Sequence, residues 1–193
     1  METKGKICVF GASSGNIDDV YVSQARELGK LLAQGGWQCV NGAGSEGLMR
    51  AVSDGVLDAG GHVTGVIPKF MVDNGWCYDR LSEIIITPDM HTRKEEMSVL
   101  CDAIIALPGG CGTIEELAEV ITWRQLKIIT KPIIVLNTNG YYDDFVSMLT
   151  KAIEQGFMKS SHHRLWTIAS TPLEAIAALE AEMTAPAPTI EPK

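Results

Sequence analysis

Residues 102–122 read DAIIALPGGCGTIEELAEVIT. An apolar strand-like run stops at Pro108, the chain turns on three glycines within residues 109–112, and a helix follows whose first turn is expected to carry Glu115 and Glu116. Glycine lets backbone N–H groups face outward without a Cβ in the way, and free N–H groups at a helix start bind anions, phosphate above all. A phosphate cradle alone needs no acids beside it, so the two glutamates point to something next to the phosphate that is acted upon. For the helix in isolation the simpler reading leads. Thr113 and Glu116 have the spacing of a capping box, and glutamates in a first turn favour the helix dipole.

The alternation of strand and helix extends over the whole chain. Strand-like runs fall at 6–10, 38–40, 62–67, 83–87, 102–107, 132–136 and 165–169, with helices at about 18–34, 45–59, 90–101, 113–127, 141–155 and 172–183. Val- and Ile-rich strands separated by helices predict a single α/β domain over 1–184. Its sheet is doubly wound, mostly parallel and Rossmann-like, with helices on both faces. The proline-rich end, 185–193, reads as a disordered tail. In such folds ligands sit at the carboxyl ends of the strands, so the loops 11–16, 41–47 and 108–113 are expected to share one rim and build one site.

Composition narrows the chemistry. A length of 193 residues, 46% hydrophobic and 21% charged, is that of one globular domain. The net charge of −8 argues against a nucleic-acid backbone or an anionic membrane as the main partner. No apolar run approaches the roughly 20 residues of a membrane span, and residues 1–10 lack the layout of a signal peptide, so the protein reads as cytoplasmic. The five cysteines form no C-x-x-C pair and are expected to stay reduced, and His162 with His163 on a surface loop is too little for a metal site.

Other motifs are weaker. Gly42, Gly44 and Gly47 match G-x-G-x-x-G, but after the second strand, and the next strand ends in Ile67-Pro68-Lys69 where a ribose-binding acid belongs. Close backbone packing and a substrate-facing turn are the better expectation. Residues 108–113 lack the Lys-Ser/Thr pair of a nucleoside triphosphatase loop. Arg93 and Lys94 near a helix start oppose its dipole; charge placement leaves surface charge and ligand contact equally open. Cys111 is expected to be a passive residue of the glycine loop.

PGGCGTIEE (108–116) resembles the P-G-G-x-G-T-x-x-E signature of the Lonely Guy (LOG) family, the cytokinin riboside 5′-monophosphate phosphoribohydrolases once labelled lysine decarboxylases. MHTRKEEM (90–97) resembles that family's M-H-x-R-K segment at the same separation. GASSGN, GAGSEGLM, GVIPK, EVITWRQL and NGYYD are similar to family segments in the same order, over about residues 6–158. The resemblance implies hydrolysis of the N-glycosidic bond of a purine nucleoside 5′-monophosphate by a homodimer that needs no metal or organic cofactor. It implies catalytic roles for Arg93 and Glu116. Ser13, Lys94, Gly109, Gly110, Cys111, Gly112, Thr113, Ile114, Glu115 and Thr122 would then line the substrate. A carboxylate such as Glu116 suits the positive charge that builds on the ribose, and the glycine loop would anchor the 5′-phosphate.

The chain departs from the family in two places. Ala43 replaces a common glycine and is expected to narrow the pocket. Gly75 stands where plant members carry a substrate-contacting glutamate, and the neighbouring Trp76 either stacks on a purine or packs in the core. Two other classes stay in view: a molybdenum-cofactor carrier of related fold, and a pyridoxal-phosphate decarboxylase, for which no lysine is well placed.

Overall fold

A strand buried on both faces must be apolar throughout, as AIIA and IIVL are in β5 (Ala103–Ala106) and β6 (Ile133–Leu136). Around them the computed structural model, which describes residues 3–185, arranges β1 (Gly5–Phe10), β2 (Trp37–Asn41), β3 (Val63–Pro68), β4 (Glu83–Thr87) and β7 (Thr167–Ala169). The strands form one sheet in the order β4-β3-β2-β1-β5-β6-β7, every neighbouring pair parallel. The expected doubly wound fold is therefore present, with a sheet that is wholly parallel. Residues 186–193, most of the expected tail, lie outside the described residues.

Helices α1 (Asp19–Gln34), α2 (Gly47–Asp58) and α7 (Pro172–Thr184) cover one face, packing Leu28, Leu32, Val52 and Leu179 against Ile7, Val9 and Ile105. Helices α4 (Met90–Leu100), α5 (Cys111–Gln125) and α6 (Asp143–Glu154) serve the other, with Met97, Leu117 and Ile121 against Cys8, Ile104 and Val135. A short α3 (Lys69–Asp73) escaped the sequence reading. No helix among the described residues is long and apolar enough to cross a membrane.

Two boundaries moved in ways that matter. Helix α5 starts at Cys111, not at residue 113, with Gly110 as an N-cap that makes no side-chain bond. Thr113 is then inside the helix, Glu115 and Glu116 lie beyond its first turn, and the expected capping box does not exist. Helix α6 starts at Asp143, which leaves Tyr141 and Tyr142 in the turn before it. His162, expected on a surface loop, is 1% exposed, and its Nδ1 accepts a hydrogen bond from the Lys159 N–H at 3.2 Å.

Strand order reverses between β1 and β5, whose ends are level at Phe10 and Ala106. A crevice must open there, because the chain leaves the two strands toward opposite faces of the sheet. The loop after β1 and the glycine turn after β5 meet in it: Ala12 N–H donates to the Pro108 carbonyl at 3.1 Å. The loop after β2 closes against the same place, with the N–H groups of Leu48 and Met49 donating to the Ala12 carbonyl at 2.8 and 3.3 Å. The three glycine-rich loops do share one rim.

Candidate active site

The two glycine loops end at different kinds of helix start. At α2 the Ala12 carbonyl occupies the N–H groups of Leu48 and Met49, so most of that terminus is spent on packing the loops together. At α5 the N–H groups of Cys111, Gly112 and Thr113 find no acceptor among the described residues, and a Cβ at Gly110 or Gly112 would meet open space. An anion can approach there along the helix axis. Gly109 is needed for another reason: a Cβ would stand 2.2 Å from Thr113 Oγ1.

Glu116 lies one turn further along α5, 8% exposed. Its Oε1 accepts from Arg93 Nη1 at 2.7 Å, while Oε2 has no hydrogen-bond partner among the described residues. Arg93, on the first turn of α4 and 5% exposed, also donates from Nε to the Val66 carbonyl at 3.2 Å. Its guanidinium lies against the backbone of Gly42, where a Cβ would be 2.0 Å from Nη2. Arg93 is thus fastened from β3, α5 and the turn after β2, and Glu116 is fastened to Arg93. Burial raises the Glu116 carboxyl above the ordinary carboxylate range, and the favourable charge and hydrogen bond of Arg93 offset that only in part.

Lys94 answers the other half of the charge question. Its Nζ donates to Glu115 Oε1 at 2.5 Å and to Glu119 Oε1 at 3.1 Å. Both cations of α4 are therefore matched by carboxylates of α5, a pairing that neither surface charge nor ligand contact had anticipated. Burial lowers the Lys94 ammonium, but its two carboxylate partners outweigh that and hold it above its ordinary value. A Schiff-base lysine must shed its proton, so Lys94 is ill suited to that role.

Arg93, Glu116 and residues 109–113 thus come together at one end of α5, and exposed Ser13 sits on the adjoining loop. Ile114, half-buried, donates its N–H to the Gly110 carbonyl at 3.0 Å and closes the first turn of α5. Glu115 points to Lys94, and exposed Cys111 caps nothing. Thr122 stands apart, about 16 Å from Cys111 along the helix axis at ~1.5 Å per residue. It is exposed, and its hydroxyl bonds back to the Ala118 carbonyl at 2.8 Å.

The departures resolve differently. The Ala43 methyl is 1% exposed and faces Gly65 inside the sheet, so it does not narrow the pocket. Its φ of 58° is one that a side chain resists, held here by Ala43 N–H to Asn41 Oδ1 at 2.9 Å. Trp76 is 51% exposed, which removes the core alternative. Its segment is tied to the turn after β2 by Ser45 N–H to the Trp76 carbonyl at 3.0 Å. Two residues escaped the sequence reading as parts of the site: Tyr141 donates its hydroxyl to the Gly109 carbonyl and Tyr142 to that of Leu107, both at 2.7 Å.

Known proteins resemble this chain to different depths. A family model described as "Possible lysine decarboxylase" matches residues 49–179. A probable cytokinin riboside 5′-monophosphate phosphoribohydrolase of Oryza sativa subsp. japonica is 45% identical over 175 residues, covering 91% of this chain and 72% of its own. A cytokinin riboside 5′-monophosphate phosphoribohydrolase of Arabidopsis thaliana is 44% identical over 176 residues, covering 91% and 82%. Among solved structures, the molybdenum cofactor binding protein of Rippkaea orientalis superposes with a TM-score of 0.73 at 23% identity over 95% of this chain and 99% of its own. That last likeness is one of fold.

Proposed function

This chain belongs to the Lonely Guy family of cytokinin riboside 5′-monophosphate phosphoribohydrolases, and from that premise we propose that the Arg93–Glu116 pair and the open start of α5 are its working parts. The enzyme hydrolyses the N-glycosidic bond of a cytokinin nucleotide: water adds at C1′, the bond to the base nitrogen breaks, and free base and ribose 5-phosphate result. The observation that carries the assignment of roles is a carboxylate buried beside an unobstructed helix N-terminus. The N–H groups of residues 109–113 take the 5′-phosphate, whose binding orients the ribose. Glu116, with Oε2 free, faces the positive charge developing on the ribose or positions the attacking water. Arg93 holds Glu116 in place, and its Nη2, beside Gly42, reaches the ribose hydroxyls.

Ser13 lines the phosphate end. Lys94 and Glu115 serve the site as a brace between α4 and α5. The exposed ring of Trp76 is the candidate for stacking on the base. The active form is a homodimer, for which the groove between α4 and α5, with Val99 69% and Ile128 64% exposed, offers an apolar face; light scattering in solution checks it. Incubation with AMP and N6-isopentenyl-AMP, with chromatography of the free base, tests the activity. Failure on every nucleoside monophosphate would overturn the reading.

A further inference from the structure

A peptide group is planar and trans, so a carbonyl held on one side of the chain sends the following N–H to the other. Along the glycine turn every carbonyl from 107 to 110 is held. Leu107 O accepts from the Tyr142 hydroxyl at 2.7 Å and Gly109 O from that of Tyr141 at 2.7 Å. Pro108 O accepts from Ala12 N–H at 3.1 Å and Gly110 O from Ile114 N–H at 3.0 Å. The N–H groups of Gly109, Gly110 and Cys111 must then point away from these partners, and none finds an acceptor among the described residues.

Two of the four anchors are backbone groups of the fold itself. The other two are neighbouring side chains carried by the turn after β6. That turn is fixed from below by Asn137, whose N–H donates to the Ala169 carbonyl at 2.7 Å and whose Oδ1 accepts from Tyr142 N–H at 2.6 Å. Tyr142 is 1% exposed, whereas Tyr141 is 42% exposed, with its ring edge-on to Tyr21 at 6.0 Å and to Tyr142 at 5.2 Å. Core packing explains the ring of Tyr142. It does not explain why a half-exposed tyrosine sends its hydroxyl to a glycine carbonyl beside the helix start.

We infer that Tyr141, backed by Tyr142, is a positioning residue of the nucleotide site, which aims the Gly110 N–H at the phosphate by holding the Gly109 carbonyl behind it. This rests on the reading that the start of α5 takes the 5′-phosphate. Without the Tyr141 hydroxyl the Gly109–Gly110 peptide is free to rotate, because neither glycine has a side chain to resist it.

Tyr141→Phe removes one oxygen and leaves both ring contacts. Its affinity for ribose 5-phosphate, measured by calorimetry, is expected to fall ~3- to 10-fold, the scale of one hydrogen bond. KM for the nucleotide should rise by a similar factor with kcat nearly unchanged, adenine affinity should stay at the wild-type value, and Tm should remain within a few degrees. A folded Tyr141→Phe with wild-type affinity for ribose 5-phosphate overturns the inference alone. A wild-type protein that binds neither ribose 5-phosphate nor inorganic phosphate overturns the phosphate reading and the inference together. Equal losses toward ribose 5-phosphate and adenine would also overturn it, marking a general loosening of the site.

Discussion

Arg93 and Lys94 are consecutive residues of α4, each paired with a carboxylate of α5, yet the two pairs differ in almost every physical respect. Arg93 and Glu116 leave 6% and 11% of their side chains exposed, and the Glu116 carboxyl is raised because burial outweighs its partner. Lys94 has an 11% exposed side chain, but Glu115 is 54% and Glu119 25% exposed, so water still screens that cluster. One pair holds charge where burial disfavours it, as the catalytic role proposed for Glu116 requires. The other fastens two helices at the rim.

Removing the inner cation should break the contrast most sharply. Arg93→Ala strands a carboxylate in a buried site, and breaking a buried pair from one side costs about 3–5 kcal/mol. The low end is expected, since Glu116 can escape by taking a proton. Urea unfolding at neutral pH measures the loss, and a change under ~1 kcal/mol would make the inner pair no different from the outer one. Activity should fall with it, because an unheld and protonated Glu116 cannot face a cation.

Glu116→Gln separates chemistry from scaffolding at the same position. The amide oxygen still accepts from Arg93, so stability should drop by only about 1–2 kcal/mol. The charge is gone, and kcat should fall by roughly 10²–10³, the scale of one preorganised electrostatic group. Retained activity would return Glu116 to a purely structural role. The pH dependence follows from the direction of the shift. A raised carboxyl is protonated in acid, so wild-type activity should climb with pH through a limb lying above the ordinary glutamate value of about 4.3. Arg93→Ala should move that limb higher, since it removes what lowers the pKa, and Glu116→Gln should abolish it. For stability the sign is opposite. The folded state binds this proton more tightly than the unfolded state, so the Glu116 contribution is fully present below the ordinary glutamate pKa and is lost as pH rises through the raised one.

How much of this was open to reading from the sequence depended on range. Residues 102–112 announce strand, stop and turn through Pro108 and the glycines, and the alternation elsewhere fixes the parallel sheet. The capping box at Thr113 failed for a physical reason: it satisfies donors that this helix leaves open, and local rules break where a site needs them broken. Arg93 and Glu116 could be singled out, but not their mutual bond, because only the crossover of the chain brings α4 and α5 onto one face of the sheet. The hydroxyl of Tyr141 meets a carbonyl 32 residues away, and no spacing encodes that. The methyl of Ala43 turned inward because its positive φ reverses where Cβ points.

The outer pair gives the smallest effect and the strictest control. Lys94→Ala should cost about 0.5 kcal/mol, since Glu115 and Glu119 regain water once the ammonium is gone. Combined with Glu115→Ala in a double-mutant cycle, the coupling should stay under ~1 kcal/mol and shrink further in high salt, where screening weakens partly exposed pairs. Coupling between Arg93 and Glu116 in the same salt series should hardly move. Should the Lys94 cycle instead lower kcat as far as Glu116→Gln does, the ammonium would belong to the reacting centre, and the division between an inner working pair and an outer brace would have to be withdrawn.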